Sequence, residues 1–159
     1  GIESGDDRVL AMNKKEATVD DAERAVRWAK EAGIKVWGYF MLGLHGDTCE
    51  SMERTLQLSK RLPIDIANFA LAAPYPGTEW GNIAERNGWL TTDSWESYDQ
   101  NYSAIVDQPG CSHQQVLRMQ RRAYLAWYGS WRGLKFLMQA WRPRYARFFW
   151  QVACAHLGI

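Results

Sequence analysis

The sequence predicts an α/β fold built on parallel strands. Strand and helix patterns alternate along residues 1–90, as they do when helices connect parallel strands. The strand pattern over 34–42 is apolar on both faces, which is typical of a strand covered on both sides. A glycine-containing turn follows it and leads into a helix start. Ligands of α/β proteins bind at this end of a strand, so the turn is the first candidate for a binding loop.

The first two helices are predicted from their caps. The N-terminal residues have the pattern of a strand end, and Asp6 or Asp7 is expected to cap a short helical turn. Thr18, with Asp21 at the capping-box position, predicts a helix over 19–32. Small apolar side chains at helical spacing are expected to form its buried stripe: Ala22, Ala25, Val26 and Ala29.

The next helix follows the strand over 34–42. Asp47, with Glu50 three residues later, predicts a capping box, and the helix extends to Leu62 before Pro63. The apolar residues expected to face inward on this helix are Met52, Leu56 and Leu62. Two further methionines, Met12 and Met41, are also expected to fill the core.

The remaining elements are a strand and more helices. The pattern over 65–72 predicts a second apolar strand, and Thr78 is expected to start a helix after a turn-rich loop. Residues 89–110 give no clear pattern. Ser112 and Gln115 predict a capping box for a long helix that runs to about residue 141, with an interruption near Gly129. A last helix is expected to start at Pro143 and to run through residue 156.

Charge and cysteine content narrow the protein class. The net charge is +1, but all 18 acidic residues lie before position 108. The C-terminal tail is therefore purely basic, with Arg118, Arg121, Arg122, Arg132, Lys135, Arg142, Arg144 and Arg147. Cys49, Cys111 and Cys154 lack the spacing of a disulfide framework or a metal site, which favours a reduced, cytoplasmic compartment. No apolar run is long enough to predict a transmembrane helix.

Five segments, in the same order and spacing, resemble the radical S-adenosylmethionine (SAM) superfamily. GIESGDDRVL at 1–10 resembles its GxESGsxxVL segment, MNKK at 12–15 its M-[NR]-K/R element, AGI at 32–34 the residues before its fifth strand, LGLHGDT at 42–48 its GLPGET loop, and PYPGT at 74–78 its P-x-PGT loop. Two positions depart from the family pattern. His45 replaces the loop proline, and Lys14 stands where many members have Arg. His45 is interpreted as a loop residue rather than a catalytic base.

The resemblance implies the second half of a partial (β/α)₆ TIM-like barrel over 1–90, then a connecting segment over 91–111 and a basic, aromatic helical tail over 112–159. In the family, a [4Fe-4S] cluster held by CxxxCxxC cleaves SAM and starts radical chemistry on a substrate. That motif is absent here and is expected upstream, so the chain is interpreted as part of a longer enzyme and as inactive alone. The tail, with RPRY at 142–145, resembles cobalamin-dependent members, which implies a further N-terminal cobalamin domain.

The same resemblance implies a set of cofactor-binding residues. Glu3 is expected to face the ribose or the amino acid end of SAM, and Lys14 its carboxylate, with Lys15 as the alternative one position on. Leu42, Gly43 and Leu44 are expected to touch the adenine through backbone groups and packing. The complete expected SAM-binding set is Glu3, Ser4, Lys14, Leu42, Gly43 and Leu44. No catalytic residue is assigned, and the substrate is an unidentified small molecule.

The basic tail allows a second, non-enzymatic hypothesis. Arginines alternate there with Trp127, Trp131, Trp141, Phe148, Phe149 and Trp150. Such a pattern suits a binding module for an anionic membrane surface or for nucleic acid. The competing interpretation is internal: the aromatic face packs on the barrel, and the arginines pair with the acidic first part of the chain. For the enzyme itself, peripheral membrane contact is the open question, and nucleic acid is not expected as a partner.

Overall fold

The computed structural model describes residues 1–140 and is a mixed α/β structure. Its elements are α1 (Asp7–Met12), α2 (Val19–Glu31), β1 (Trp37–Leu42), α3 (Cys49–Arg61), β2 (Ile66–Leu71), α4 (Glu79–Arg86), a 3₁₀ turn (Trp95–Ser97), α5 (His113–Tyr128) and α6 (Trp131–Ala140). The predicted alternation of strands and helices is therefore confirmed. The helix predicted from Pro143, the RPRY segment and the aromatic residues beyond position 140 lie outside the described residues.

The two strands form a parallel sheet connected through α3. Trp37 pairs with Ile66 at one end and Leu42 with Leu71 at the other. On the free side of β1, Glu3 forms an isolated parallel bridge with Phe40. Two backbone bonds hold this bridge, from the Glu3 N–H to the Tyr39 oxygen (3.1 Å) and from the Met41 N–H to the Glu3 oxygen (2.8 Å). The N-terminal residues thus run alongside β1 as the strand end that the sequence predicts.

The sheet has one buried face and one open face. Side chains of the buried face lie in the main core with α3 and α5: Phe40 and Leu42 from β1, and Ala67, Phe69 and Leu71 from β2. The alternate side chains form the open face and are exposed or only partly buried: Trp37, Tyr39 and Met41 from β1, and Ile66, Asn68 and Ala70 from β2. Two helices reach the edges of this face, where Met41 packs against the cluster that contains Val9 of α1 and the Tyr124 hydroxyl of α5 donates to Asn68 Oδ1 at 2.9 Å. Trp37 and Tyr39 stack with their ring centroids 5.2 Å apart while remaining 55% and 43% exposed.

Most predicted caps are confirmed, but that of α3 is wrong. Thr18 with Asp21 and Ser112 with Gln115 form capping boxes, Asp6 caps α1, and Thr78 caps α4. The box of α3 is formed by Thr48 and Ser51 instead of Asp47 and Glu50. The reason is tertiary: the Asp47 carboxylate turns inward and binds backbone N–H groups of the preceding loop.

Some predicted core positions are also wrong. In α2 only Val26 is buried, and Ala25 is exposed. Met12 is 41% exposed, whereas Met52, Leu56 and Leu62 are buried as predicted. The alanine stripe of α2 borders an open cavity beside Val36 and Trp37 instead of a packed interface. Met12 lies at the surface beside Arg8.

The first tail helix belongs to the same core as the strands. The apolar side chains of α5 that pack against the sheet and α3 are Val116, Met119, Ala123 and Trp127. Arg122 pairs with Glu53 of α3, with Nη1 2.6 Å from Oε2. Arg132 donates to the backbone oxygens of Lys60 and Leu62. This packing agrees with the internal interpretation of the tail, in which its aromatic face packs on the barrel and its arginines pair within the chain. None of the described helices is both long and apolar enough to cross a membrane.

Candidate functional site

A cavity lies on the open face of the sheet near the carboxyl ends of the strands. Its volume is about 430 Å³. The side chains that line it come from the N-terminal segment, from both strands and from residues after α4, and they include Glu3, Tyr39, Met41, Asn68 and Gln100. The backbone oxygen of Gln100 accepts from the Leu71 N–H at 2.6 Å, which fixes this segment beside the end of β2. The cavity is thus lined by both apolar and polar side chains.

Glu3 and Lys14 share an unusual backbone conformation. Their φ angles are 69° and 55°, and no other non-glycine residue in the described part of the chain has a positive φ. A left-handed conformation costs a residue with a side chain on the order of 1–2 kcal/mol, so the surrounding structure must impose it. Both are residues that the resemblance assigns to SAM.

The two neighbouring lysines point to different partners. Lys15 Nζ lies 3.5 Å from Glu3 Oε1, with both side chains about two-thirds buried. Lys14 pairs instead with Glu79, the first residue of α4, and both of those side chains are largely exposed. The structure thus places Lys15 beside Glu3, and Lys14 at the surface next to the start of α4. The choice between the two lysines as a partner for the SAM carboxylate stays a prediction.

Ser4 is placed in a structural position. The residue is fully buried, and its Oγ lies 3.4 Å from Thr55 Oγ1 on α3. The same Oγ accepts a hydrogen bond from the Asp6 N–H at 3.2 Å. These contacts fix the turn between the strand end and α1. The cofactor role predicted for Ser4 remains a prediction, and its side chain is not presented to the cavity.

The loop over 43–47 is built around the buried carboxylate of Asp47. The N–H groups of Gly43 and Leu44 both donate to Asp47 Oδ2 at 3.0 Å. Gly43 has a φ of 79°, and a Cβ on it would lie 3.0 Å from Val116. The side chains of Leu42 and Leu44 are buried in the core. A contact between these residues and adenine remains a prediction. Any such contact would use backbone atoms other than the N–H groups of Gly43 and Leu44, which already bind Asp47.

Burial controls the ionisation of this loop. Because Asp47 is removed from water, its pKa rises to about 6, although Ser51 Oγ and the two loop N–H groups donate to it. The negative charge of Asp6 adds to the rise. Burial also raises the pKa of the neighbouring Cys111 thiol, to about 12, with a further contribution from Asp47. The loop interior therefore disfavours negative charge.

Side chains from distant segments hold the outer backbone of the same loop. Gln108 Oε1 accepts from the Gly46 N–H at 2.9 Å, and its Nε2 donates to the Leu44 oxygen at 2.8 Å. Asn13 Nδ2 donates to the His45 oxygen at 2.9 Å, and Arg8 Nη2 to the Gly46 oxygen at 2.8 Å. Sequence reasoning missed these three side chains. Residues 12–15 gave a motif signal, but nothing in the local pattern marks Gln108.

The imidazole of His45 lies beside α4. It stacks on the indole of Trp80, with ring centroids 4.8 Å apart and an interplanar angle of 22°. Trp80 in turn contacts Trp89 at 6.1 Å between centroids. An aromatic partner in this position supports the interpretation of His45 as a loop residue.

The described residues contain no ready metal site. Within residues 1–140, no group of three or more His, Cys, Asp or Glu side chains is arranged to hold a metal ion. Cys49 is exposed at the start of α3, whereas Cys111 is buried behind the loop. The cavity itself presents the Glu3 carboxylate, with Lys15 as its neighbour, beside apolar and amide side chains.

Comparisons with known proteins agree with the motif order. Residues 1–59 match the family model of the radical SAM superfamily. The chain is 34% identical over 128 residues, 80% of its length, to an uncharacterized methyltransferase of Pyrococcus horikoshii. It is 33% identical over 76 residues, 48% of its length, to the anaerobic magnesium-protoporphyrin IX monomethyl ester cyclase of Rubrivivax gelatinosus. It is 29% identical over 109 residues, 66% of its length, to the bacteriochlorophyllide d C-8(2)-methyltransferase of Chlorobaculum tepidum.

These relatives are much longer than the chain. The matched residues span 28% of the Pyrococcus protein, 14% of the Rubrivivax protein and 24% of the Chlorobaculum protein. The family match covers the strand end with Glu3, the lysines, β1 and the loop over 43–47. From the family match, the relatives and the ordered motifs together, the chain belongs to the radical SAM superfamily.

Proposed function

We propose that this chain is the second half of the partial (β/α)₆ barrel of a radical SAM enzyme, where it binds SAM and substrate. Parallel strands with helices on one face and an open opposite face are the arrangement that such a half-barrel requires. The open face then becomes the barrel interior, and the cavity beside Glu3 becomes part of the active site.

One observation carries the proposal: the two charged residues assigned to SAM by resemblance are the two described non-glycine residues with positive φ. Such strain persists where the surrounding structure maintains it, and it clusters at functional sites. The chemistry of the side chains also fits SAM. The Glu3 carboxylate can accept hydrogen bonds from ribose hydroxyls or from the ammonium group, and Lys14 or Lys15 can pair with the carboxylate.

The cluster ligands are proposed to come from residues outside this chain. Iron–sulfur clusters are held by thiolates, and Cys111, with a pKa raised to about 12, is a buried thiol at neutral pH. When bound, SAM and a reduced [4Fe-4S] cluster supply radical chemistry that begins with hydrogen abstraction from the substrate. We therefore expect the chain alone to be inactive.

Methyl transfer is the reaction class that we put first. Two of the three relatives are methyltransferases by name, and the third is a cyclase. Cobalamin in a further domain is an extension of this proposal that depends only on the resemblance of the tail. The substrate is proposed to meet the open face, where Tyr39 and Met41 offer apolar contact and Asn68 a hydrogen-bonding amide.

The test is SAM binding by the full-length parent enzyme with its cluster reconstituted. Glu3→Ala should weaken SAM binding by about 1–3 kcal/mol, the scale of a hydrogen bond to a charged group. Glu31→Ala, an exposed glutamate at the end of α2, is the matched control and should leave the affinity unchanged. Calorimetry measures both. Equal affinities for the two variants would remove Glu3 from the site.

The membrane or nucleic-acid module is not favoured by the packing of the tail. The apolar face of α5 is already buried on the sheet, and Arg122 and Arg132 have partners within the chain. A basic amphipathic helix that lies on a membrane needs that apolar face free. The enzyme therefore remains the single function that we propose for the described residues.

A further inference from the structure

The geometry points to Gln108 as a positioning residue for the loop over 43–47, acting from outside the segment that matches the family model. This inference rests on the proposed function, because it assigns to Gln108 the task of holding the loop in the shape that receives SAM. Gln108 does not line the cavity. It acts through the backbone of Leu44 and Gly46, and no resemblance or motif assigns it a role.

Both polar atoms of the Gln108 side-chain amide form hydrogen bonds with the loop backbone. Its oxygen accepts the Gly46 N–H at 2.9 Å, and its nitrogen donates to the Leu44 oxygen at 2.8 Å. The residue is only 7% exposed, so water cannot easily replace either bond. One planar side chain thus fixes a donor and an acceptor two residues apart, which sets the curvature of the loop.

The turn that carries Gln108 is itself pressed against the loop. Gln108 and Cys111 exchange backbone bonds at 3.2 and 3.1 Å, which closes a tight turn around Gly110. A Cβ on Gly110 would lie 2.3 Å from the backbone oxygen of Asp47. The Cys111 Sγ also lies 3.5 Å from that oxygen. Only glycine allows this approach, so the position of the turn and the position of the loop are coupled.

Gln108 and Asp47 hold the loop from two sides. The Asp47 carboxylate accepts hydrogen bonds from the N–H groups of Gly43 and Leu44 on the core side. On the outer side, Gln108 accepts a hydrogen bond from the Gly46 N–H and donates one to the Leu44 oxygen. Pre-organisation of this kind lowers the entropy cost of binding a ligand. Removing the outer support should therefore weaken SAM binding even though the cavity side chains are unchanged.

The chain offers a matched control for the test. Gln120 is as buried as Gln108, at 3% exposure, and its Nε2 also donates to backbone oxygens, those of Phe69 (2.9 Å) and Asn101 (3.0 Å). Gln120 has no contact with the loop. Gln108→Met and Gln120→Met each replace a buried amide with an apolar side chain of similar volume, and Gly110→Ala displaces the turn while keeping the Gln108 side chain.

The first measurement is amide hydrogen exchange of Gly46 in the folded 159-residue chain. We expect exchange roughly 3- to 10-fold faster in Gln108→Met, as expected for the loss of one buried hydrogen bond. Gly110→Ala should also accelerate it, and Gln120→Met should not. Unchanged Gly46 exchange in both loop variants overturns the inference. Loss of folding in Gln108→Met while Gln120→Met folds assigns the glutamine to core stability and also overturns it.

The second measurement is SAM affinity of the parent enzyme by calorimetry. Gln108→Met and Gly110→Ala should each weaken binding roughly 3- to 10-fold, and Gln120→Met should retain it. Faster Gly46 exchange with unchanged SAM affinity overturns the positioning role. A wild-type parent that does not bind SAM overturns the proposed function itself. Gly46 exchange in the chain then still decides separately whether Gln108 holds the loop.

Discussion

The two faces of the sheet are made by the same two strands, yet they differ in almost every property. On the buried face, Phe40 and Phe69 are 1% and 0% exposed and stack on each other at 5.4 Å. On the open face, Trp37 and Tyr39 stack at a similar distance, 5.2 Å, but remain about half exposed. The difference comes from the helices, because α3 and α5 pack their apolar side chains on the buried face, whereas α5 reaches the open face through the hydroxyl of Tyr124 at Asn68.

This contrast separates residues that make the fold from residues that are available for function. The buried face is uniformly apolar, and its packing accounts for the position of both strands. The open face combines aromatic rings with one amide, Asn68, and faces the cavity beside Glu3. An exposed apolar patch edged by polar groups is typical of a binding surface. The energetic consequence is testable, because adjacent residues of one strand point to opposite faces.

The largest expected effect is on the buried face. Phe40→Ala removes a fully buried ring that contacts Phe69 and leaves a cavity in the core. We expect the free energy of unfolding of the chain to fall by about 3–5 kcal/mol, the usual cost of such a truncation. Urea denaturation followed by circular dichroism measures it. A loss below about 1 kcal/mol would contradict the assignment of this face to the core.

The second-largest expected effect concerns the charge of Asp47, in the loop that follows β1. The pKa of Asp47 is raised from 3.8 to about 6, so the folded protein holds a proton there that the unfolded chain releases. Stability from this group is therefore present below about pH 4 and is lost as the pH rises to about 6. The raised pKa corresponds to about 3 kcal/mol at neutral pH.

Asp47→Asn isolates this contribution, because the amide is neutral at every pH and can still accept from the Gly43 and Leu44 N–H groups. Relative to wild type, the variant should gain stability, by up to about 3 kcal/mol, between pH 4 and pH 7. Urea denaturation of both proteins at pH 4.5 and pH 7.5 gives the two differences. A stability difference that does not change with pH would show that Asp47 titrates normally.

A difference between local and long-range contacts explains which features the sequence could predict. The caps at Thr18 and Ser112 were predictable because each bond joins residues three apart. At α3, two cap-type residues, Asp47 and Thr48, stand side by side, and the choice between them depends on burial behind the loop. Local pattern contains no such information. Gln108 lies 62 residues from its partner Gly46, so only the folded chain shows their contact.

The candidate site was predictable in part for the same reason. Ordered motifs identified Glu3 and Lys14, and the structure adds that their backbones are strained. Motifs could not show that Ser4 faces Thr55 rather than the cavity. They also could not show that the N–H groups of Gly43, Leu44 and Gly46 are already occupied. A motif marks a segment, whereas the side of the chain that a residue presents depends on tertiary packing.

The smallest expected effect completes the comparison on the open face. Tyr39 is the neighbour of Phe40 in β1, but its ring is 43% exposed and contacts only Trp37 among the aromatic groups of the described residues. Tyr39→Ala leaves the backbone bonds of the strand in place and creates no closed cavity. We expect the chain to lose at most about 1 kcal/mol, the scale of a partly exposed aromatic pair. In the parent enzyme, by contrast, the same variant should impair substrate binding, because the proposed barrel interior includes this ring. Urea denaturation of the chain and the substrate KM of the parent give the two values. A loss of 3 kcal/mol or more in the isolated chain would mean that the open face is part of the core, and the distinction between the two faces would fail.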